Sequence, residues 1–290
     1  MKPILRLIIA CMLTITGLLS TSTSKAQEVS VNVNFSVFHD NLQSYGSWAN
    51  HPKYGPIWIY KQAGFSPYST AGHWVYTQYG WTWVSDYSWG WATFHYGRWS
   101  YEPSFGWFWV PGYEWGPAWV SWRTGGDYYG WAPLGPGLGI GVSTMPADRW
   151  VFVPRRHIGN PGANRYYAPR TNNVAIIKNT TIINNTNVTK VSNRNVTYVT
   201  GPKREEVERD TKTKVTVMNV NNSSKPGKEV IDDNKKTINI YKPDGDEKAV
   251  NKNTEKNVEK TPNKKPPVKQ EVKPKPKTKP KPSTKEKPKP

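Results

Sequence analysis

The stretch GWFWVPGYEWGPAWVSW, residues 106–122, contains five tryptophans in seventeen positions. Its first half belongs to a repeated pattern of an aromatic residue, glycine, two further residues and tryptophan, found at 54–58, 79–83 and 105–109. A Gly-x-Trp motif precedes each copy, at 46–48, 72–74 and 97–99. Two interlocked motifs at one spacing of about 25 residues indicate a structural repeat, present three times and in part a fourth time.

The repeat has the two-residue period of an extended strand. Tyr79, Trp81 and Trp83 lie on one side of such a strand, and the other copies keep that register. Turn residues such as Pro111-Gly112 separate the copies, and no window has a sustained helical period. We therefore predict an all-β fold for residues 28–155, a small antiparallel meander that forms a sandwich or a partly closed barrel.

The aromatic residues are too numerous for every ring to be buried. Residues 45–150 contain 31 of them, and a domain of this size buries about two-thirds of its unfolded surface. The repeating strands predict a structural ladder of Trp58, Trp81, Trp83, Trp107 and Trp109. The turn regions predict an exposed ligand platform, suited to sugar rings or to proline-rich or quaternary-ammonium ligands, of Trp89, Trp91, Trp115, Trp119 and Trp122.

The N-terminus has the pattern of a secretory signal peptide. Lys2 and Arg6 precede an apolar stretch that is too short to span a membrane, and small residues before Gln27 predict cleavage after residue 26. A lipoprotein site at Cys11 is disfavoured because most of the apolar stretch follows the cysteine. We expect an exported mature chain without a cysteine or a transmembrane segment, in the periplasm or outer envelope or secreted.

The remainder of the chain divides by composition. Residues 27–160 carry seven basic and seven acidic residues, so most of the net charge of +19 lies after residue 160. Residues 161–243 are rich in Asn and Thr and predict short strands, although the sequence leaves open whether they pack on the aromatic domain. Residues 244–290 are rich in Lys and Pro with very few apolar residues, which predicts a disordered tail.

No motif predicts a catalytic, metal or cofactor site. The five histidines lack ligand spacing, and neither a nucleophile elbow nor a phosphate-binding loop occurs. Glu102 and Glu114 leave open a glycoside hydrolase with paired carboxylates, but sequence spacing does not give the distance between them. We expect no cofactor and no catalytic residue.

The stretches at 89–99 and 106–134 resemble a family of exported bacterial envelope proteins with Trp/Gly-rich repeats and a basic or proline-rich tail. These proteins are loosely named proline-rich or FecR-like and have no assigned function. The resemblance covers residues 40–160 and, more faintly, 161–243. It implies an envelope or secreted protein and supplies no catalytic residues.

Together these observations predict a non-enzymatic envelope protein. Its aromatic β-domain is expected to be a structural or binding module, while the cationic tail associates with anionic envelope polymer. The alternative is a carbohydrate- or peptidoglycan-binding module proper. Cell-wall or surface glycan is the expected partner, nucleic acid is not expected, and the sequence does not indicate an oligomeric state.

Overall fold

The computed structural model describes residues 33–141, 144–191 and 194–242. The predicted signal peptide and its cleavage site, Cys11 and the predicted Lys/Pro-rich tail lie outside the described residues. Most elements are short strands, and the fold is all-β as predicted. No helix in the described part of the chain is both long and apolar enough to cross a membrane.

Within the described ranges the strands form five open sheets. Those before residue 160 are β1 Ser47–His51, β2 Gly55–Ile59, β3 Gly72–Thr77, β4 Gly80–Ser85, β5 Arg98–Glu102, β6 Gly106–Val110, β7 Val120–Gly125, β8 Tyr128–Pro133 and β9 Val151–Pro154. Those after it are β10 Thr181–Ile183, β11 Thr186–Val191, β12 Arg194–Val199, β13 Asn219–Asn222, β14 Val230–Asp232 and β15 Thr237–Ile240. The sheet orders are β1-β2-β6-β5, β10-β7-β8-β9, β3-β4, β11-β12 and β13-β15-β14. Every strand pair is antiparallel except the parallel pair β13–β15.

Each repeat unit is one β-hairpin with a tryptophan pair across its strands. The four pairs are Trp48 with Trp58, Trp74 with Trp83, Trp99 with Trp109, and Trp122 with Trp131. Because β2 also pairs with β6, Trp58 lies opposite Trp109, and four indoles form one row across the first sheet. β3 and β4 form a separate two-stranded sheet, so Trp81 and Trp83 of β4 do not lie in that row. The sequence had predicted one ladder that included them.

The Gly-x-Trp glycines make room for these rings. A Cβ atom at Gly46 would lie 2.7 Å from the Trp58 ring, and one at Gly72 would lie 2.7 Å from the Trp83 ring. Gly97 is placed in the same way against Trp109. The glycine and the distant tryptophan of one unit are therefore a single packing device, since a side chain at the glycine would displace the indole.

The described residues also form four short helices: α1 Phe35–Leu42, α2 Gly90–Thr93, α3 Asn173–Lys178 and α4 Arg204–Thr211. Single 3-10 turns lie at Ala147–Arg149, Arg155–His157, Ala163–Tyr166 and Arg170–Asn172. Residues 28–155 contain two of these helices, α1 and α2, which the sequence pattern did not predict. Two turns are too short to show a helical period, yet Phe38 and Leu42 on one face are fully buried and the Asn34 side chain accepts the Val37 N–H.

The Asn/Thr-rich region packs on the repeat domain. β10 pairs with β7, and the Trp81 indole N–H donates to the Pro202 carbonyl at 3.0 Å. Met218 and Ile238 are buried in the same apolar core as the hairpin tryptophans. The question that the sequence left open is thereby answered, because the second region supplies part of the core of the first.

Candidate functional site

A groove with a volume of about 530 Å³ opens beside the β5–β6 hairpin. Three turns line it, at residues 97–98, 110–114 and 136–139. Tyr113 and Leu138 on its walls are 44% and 41% exposed, so the groove is open to solvent. A volume of this size lies within the range of small-ligand sites, which is about 300–1,000 Å³.

Arg98 is the cation of this groove. Its guanidinium carbon lies 3.5 Å from the centre of the Trp119 ring, and one Nη donates to the Gly97 carbonyl at 2.8 Å. It forms no ion pair with a carboxylate among the described residues, although Glu114 lines the same groove. Burial lowers the pKa of Arg98 to about 10, against the raising effects of Tyr68 and Glu114. Arg98 is therefore a charged group held at a desolvation cost without a matching counter-ion.

Trp119 holds the guanidinium in place and is itself fixed from below. Its indole N–H donates to the His95 carbonyl at 2.9 Å, and its backbone N–H donates to the Tyr68 hydroxyl at 3.2 Å. A Cβ atom at Gly116 would lie 3.0 Å from the ring, so the glycine allows the close approach. Stacking on a fixed indole orients the planar guanidinium before any ligand arrives.

A buried ion pair supports the wall behind Trp119. His95 and Glu229 side chains are both fully buried, with Nε2 and Oε1 3.0 Å apart. His95 Nδ1 donates to the Gly116 carbonyl at 2.9 Å, and the second Glu229 oxygen accepts the Ser85 N–H at 2.8 Å. Both ring nitrogens of His95 thus face oxygen atoms, and these two contacts hold the ring in one orientation. The pair fixes Gly116 against the C-terminal region.

The predicted exposed platform is not at the surface. All five rings are at most 4% exposed: Trp89, Trp91, Trp115, Trp119 and Trp122. The physical reason is the packing of residues that the sequence did not place. Tyr241 contacts the Trp91 ring at 4.8 Å, and Lys242 lies over Trp115 at 4.7 Å. The prediction of an exposed surface at these positions was wrong, and of the five only Trp119 contacts the groove cation.

Four rings of the predicted ladder are buried in the core, namely Trp58, Trp81, Trp83 and Trp109. Trp107, the fifth, is only partly buried. It packs edge-on against Tyr101 at 5.6 Å, Tyr101 is 39% exposed, and the Arg149 guanidinium lies 3.9 Å from the Tyr101 ring centre. One exposed aromatic surface therefore lies near the tip of the β5–β6 hairpin.

Glu102 and Glu114 do not form a catalytic pair. Glu102 ends β5 at the turn of the hairpin, whereas Glu114 follows β6 at the opposite end. Four residue steps along a strand already separate these ends by about 13 Å, more than paired glycosidase carboxylates require. Glu102 instead accepts a hydrogen bond from His51 Nε2 at 3.2 Å. No group of three potential metal ligands occurs among the residues that the structure describes.

Arg98 was not among the residues predicted to form a site. The one feature of the sequence that could have pointed to it is its position between Gly97 and Trp99, in the third Gly-x-Trp motif. The turn at 136–139, which closes the groove, was recognised only as a turn. The turns at 110–114 and 136–139 line the same groove only because of how the strands pair. No short stretch of sequence therefore predicts that they lie together.

Residues 39–138 match the model of a family of unknown function, DUF6600. This segment contains the first three hairpins, Trp119, Arg98 and the three turns that line the groove up to residue 138. None of the curated proteins and none of the solved structures matches the chain.

Proposed function

We propose that this protein is a non-enzymatic binding module of the bacterial cell envelope whose groove receives a carboxylate of an acidic saccharide in an envelope polymer. The observation that carries the proposal is Arg98, which is stacked on Trp119 and has no carboxylate partner among the described residues. An arginine held in this way is ready to bind an anionic group, because its two N–H donors fit a carboxylate in a bidentate manner.

The walls of the groove favour a saccharide over a small inorganic anion. Tyr113 offers a partly exposed ring, and ring faces pack against the C–H faces of sugars. The Pro-Gly turns at 111–112 and 136–137 both line the groove and leave it open, so a unit within a polymer can enter it. The side chain of Glu114 lines one end of the groove, so a ligand carboxylate is directed toward Arg98 by repulsion from Glu114.

The envelope location is supported by the sequence segments outside the described residues. The predicted signal peptide directs export, and the predicted Lys/Pro-rich tail supplies 14 lysines against four glutamates in residues 251–290. A cationic tail raises the local concentration of an anionic polymer near the groove. The tail thus gives attachment without selectivity, and the groove gives selectivity.

Calorimetric titration with tetragalacturonate, an acidic tetrasaccharide, tests the groove. We expect Arg98→Met to weaken binding at least about tenfold, the loss of one charged hydrogen-bonded contact. Arg209→Met is the matched control, because Arg209 is an exposed arginine away from the groove. Equal affinity of the wild type for neutral cellotetraose, or unchanged binding in Arg98→Met, would refute the proposal.

Removal of residues 244–290 tests the role of the tail. We expect retention on purified cell wall to fall at low salt, while the affinity of the groove for tetragalacturonate in solution stays the same. Since attraction between exposed charges is screened by salt, the difference between the two chains should shrink at high ionic strength. Unchanged retention of the shortened chain at low salt would exclude the tail from attachment.

A neutral-glycan module is the second candidate, favoured by the exposed Tyr101 ring beside Trp107. It predicts that cellotetraose changes tryptophan emission and that Trp107→Ala removes this change with the fold intact. A change that survives in Trp107→Ala would exclude this surface.

A further inference from the structure

One folded part of the chain carries cations without any carboxylate. Residues 149–204 contain ten Lys and Arg residues and no Asp or Glu. This stretch precedes the Lys/Pro-rich tail and, apart from residues 192–193, lies within the described structure. These cations therefore lie on folded parts of the protein. Those that form no ion pair within it are the ones available to a partner.

Several of the cations are engaged within the protein. Arg155 pairs with both Glu206 and Asp210 of α4, the latter at 2.9 Å. Arg170 donates to the Asp148 carbonyl and to the Ser66 hydroxyl. Because these two arginines bind groups within the protein, they are less available to an external ligand.

Arg156 and Arg165 differ from these because both are exposed and neither forms an ion pair within the described residues. Arg156 Nε donates to His157 Nε2 at 3.1 Å, and the His157 ring stacks on Tyr166 with centroids 3.7 Å apart and planes 6° apart. Partial desolvation and the neighbouring Arg156 lower the pKa of His157. The imidazole thus acts as a neutral spacer that joins Arg156 to the Tyr166 ring, with Arg165 next along the chain.

Apolar groups are exposed within the same carboxylate-free stretch. Tyr166 is 44% exposed, and Val174 at the start of α3 is 57% exposed. Arginine next to an exposed tyrosine suits the boundary between water and lipid, because the guanidinium contacts phosphate while the ring enters the headgroup layer. The carboxylates that face this stretch from α4 include Glu206 and Asp210, and both are paired with Arg155.

We propose that Arg156, His157, Arg165 and Tyr166 form a membrane-contact face that binds the phosphate groups of an anionic lipid surface. This face is separate from the groove and does not depend on the proposed saccharide binding. A lipid surface fits better than a single soluble anion, because two free arginines and a partly exposed ring provide a broad contact area and no enclosed pocket.

An environment-sensitive fluorophore at Asn164→Cys, in the full chain with Cys11→Ser, tests the face directly. Asn164 is exposed beside Arg165, whereas a second label at Asn234→Cys, in an exposed turn of the C-terminal sheet, is the control. With phosphatidylglycerol vesicles we expect a blue shift for the label at 164 and none at 234. Phosphatidylcholine vesicles should give no shift at either position.

The double variant Arg156→Gln/Arg165→Gln separates the face from the cationic tail. Each arginine near an anionic surface is worth about fivefold in partitioning, so we expect the shift at 164 to need about 25 times more lipid. Vesicle sedimentation through the tail should persist. The proposal is overturned if the label at 164 stays in water while the chain sediments, or if soluble polyphosphate produces the same shift without vesicles.

Discussion

Two copies of the repeat, the β3–β4 and β5–β6 hairpins, fold alike but have different surroundings. His73 lies opposite Val84 in the first hairpin, and Arg98 lies opposite Val110 in the second. In each case the next residue is the tryptophan of a cross-strand pair. The repeat therefore specifies the hairpin and its ring packing, and leaves the residue before the tryptophan free to vary in chemistry.

The C-terminal region covers the first hairpin and leaves the second open. Pro202 accepts the Trp81 indole N–H, and Glu229 accepts the backbone N–H of Ser85 at the end of β4. Burial lowers the pKa of His73, which keeps the covered position neutral at neutral pH. Arg98 faces the open groove and keeps its charge there. At the residue before the tryptophan, one repeat thus has a neutral histidine under the C-terminal region and the other has a cation facing the groove.

We expect the largest loss of stability when Glu229, which joins the C-terminal region to β4 and His95, is replaced. Glu229→Ala removes the buried partner of both His95 Nε2 and the Ser85 N–H, and we expect the free energy of unfolding to fall by about 3–5 kcal/mol. Urea unfolding followed by tryptophan fluorescence measures this. Glu102→Ala is the control, because Glu102 is 40% exposed beside His51, and should cost less than about 1 kcal/mol. Equal losses in the two variants would contradict the clamping role of Glu229.

The glycines test whether ring packing is common to both hairpins. Gly72→Ala should cost about 1–3 kcal/mol because the methyl group would press on the Trp83 ring. Gly97→Ala should cost more, since Gly97 also has a φ of +63° in the left-handed region. Thermal unfolding of both variants measures the order.

Gly55→Ala provides the matched control for backbone strain alone. Gly55 has a φ of +71°, and a Cβ atom there would have no neighbour within 4 Å. We expect a loss of about 1–2 kcal/mol from the left-handed conformation. A loss at Gly55 as large as that at Gly97 would show that ring contact adds nothing.

The smallest effect on stability, and a specific one on binding, is expected from Arg98 itself. Burial lowers the pKa of Arg98 to about 10, so this charge costs stability at neutral pH, and the cost declines as pH rises above that value toward the ordinary pKa of arginine. Tetragalacturonate affinity should therefore be level up to about pH 9 and fall as Arg98 loses its proton near pH 10. Titrations from pH 7 to 11 measure the profile. Residual binding in Arg98→Met that falls along the same profile would assign the loss to other groups.

The sequence predicts those parts of the structure whose contacts are between residues close together in the chain. The hairpins follow from motifs within 25 residues, because the glycine, the turn and both tryptophans of a pair are close in sequence. The groove joins residues 97–98 to 136–139, and its arginine stacks on Trp119, so no single window contains it. The burial of Trp91 and Trp115 depends on Tyr241 and Lys242, more than 120 positions away.

A crystal structure of the protein with tetragalacturonate shows directly whether Arg98 binds a saccharide carboxylate. We expect the carboxylate to pair with the Arg98 guanidinium at about 2.7–2.9 Å, with a sugar ring against Tyr113. A saccharide bound instead on Tyr101 and Trp107, with Arg98 still stacked on Trp119 and free of ligand, would contradict it.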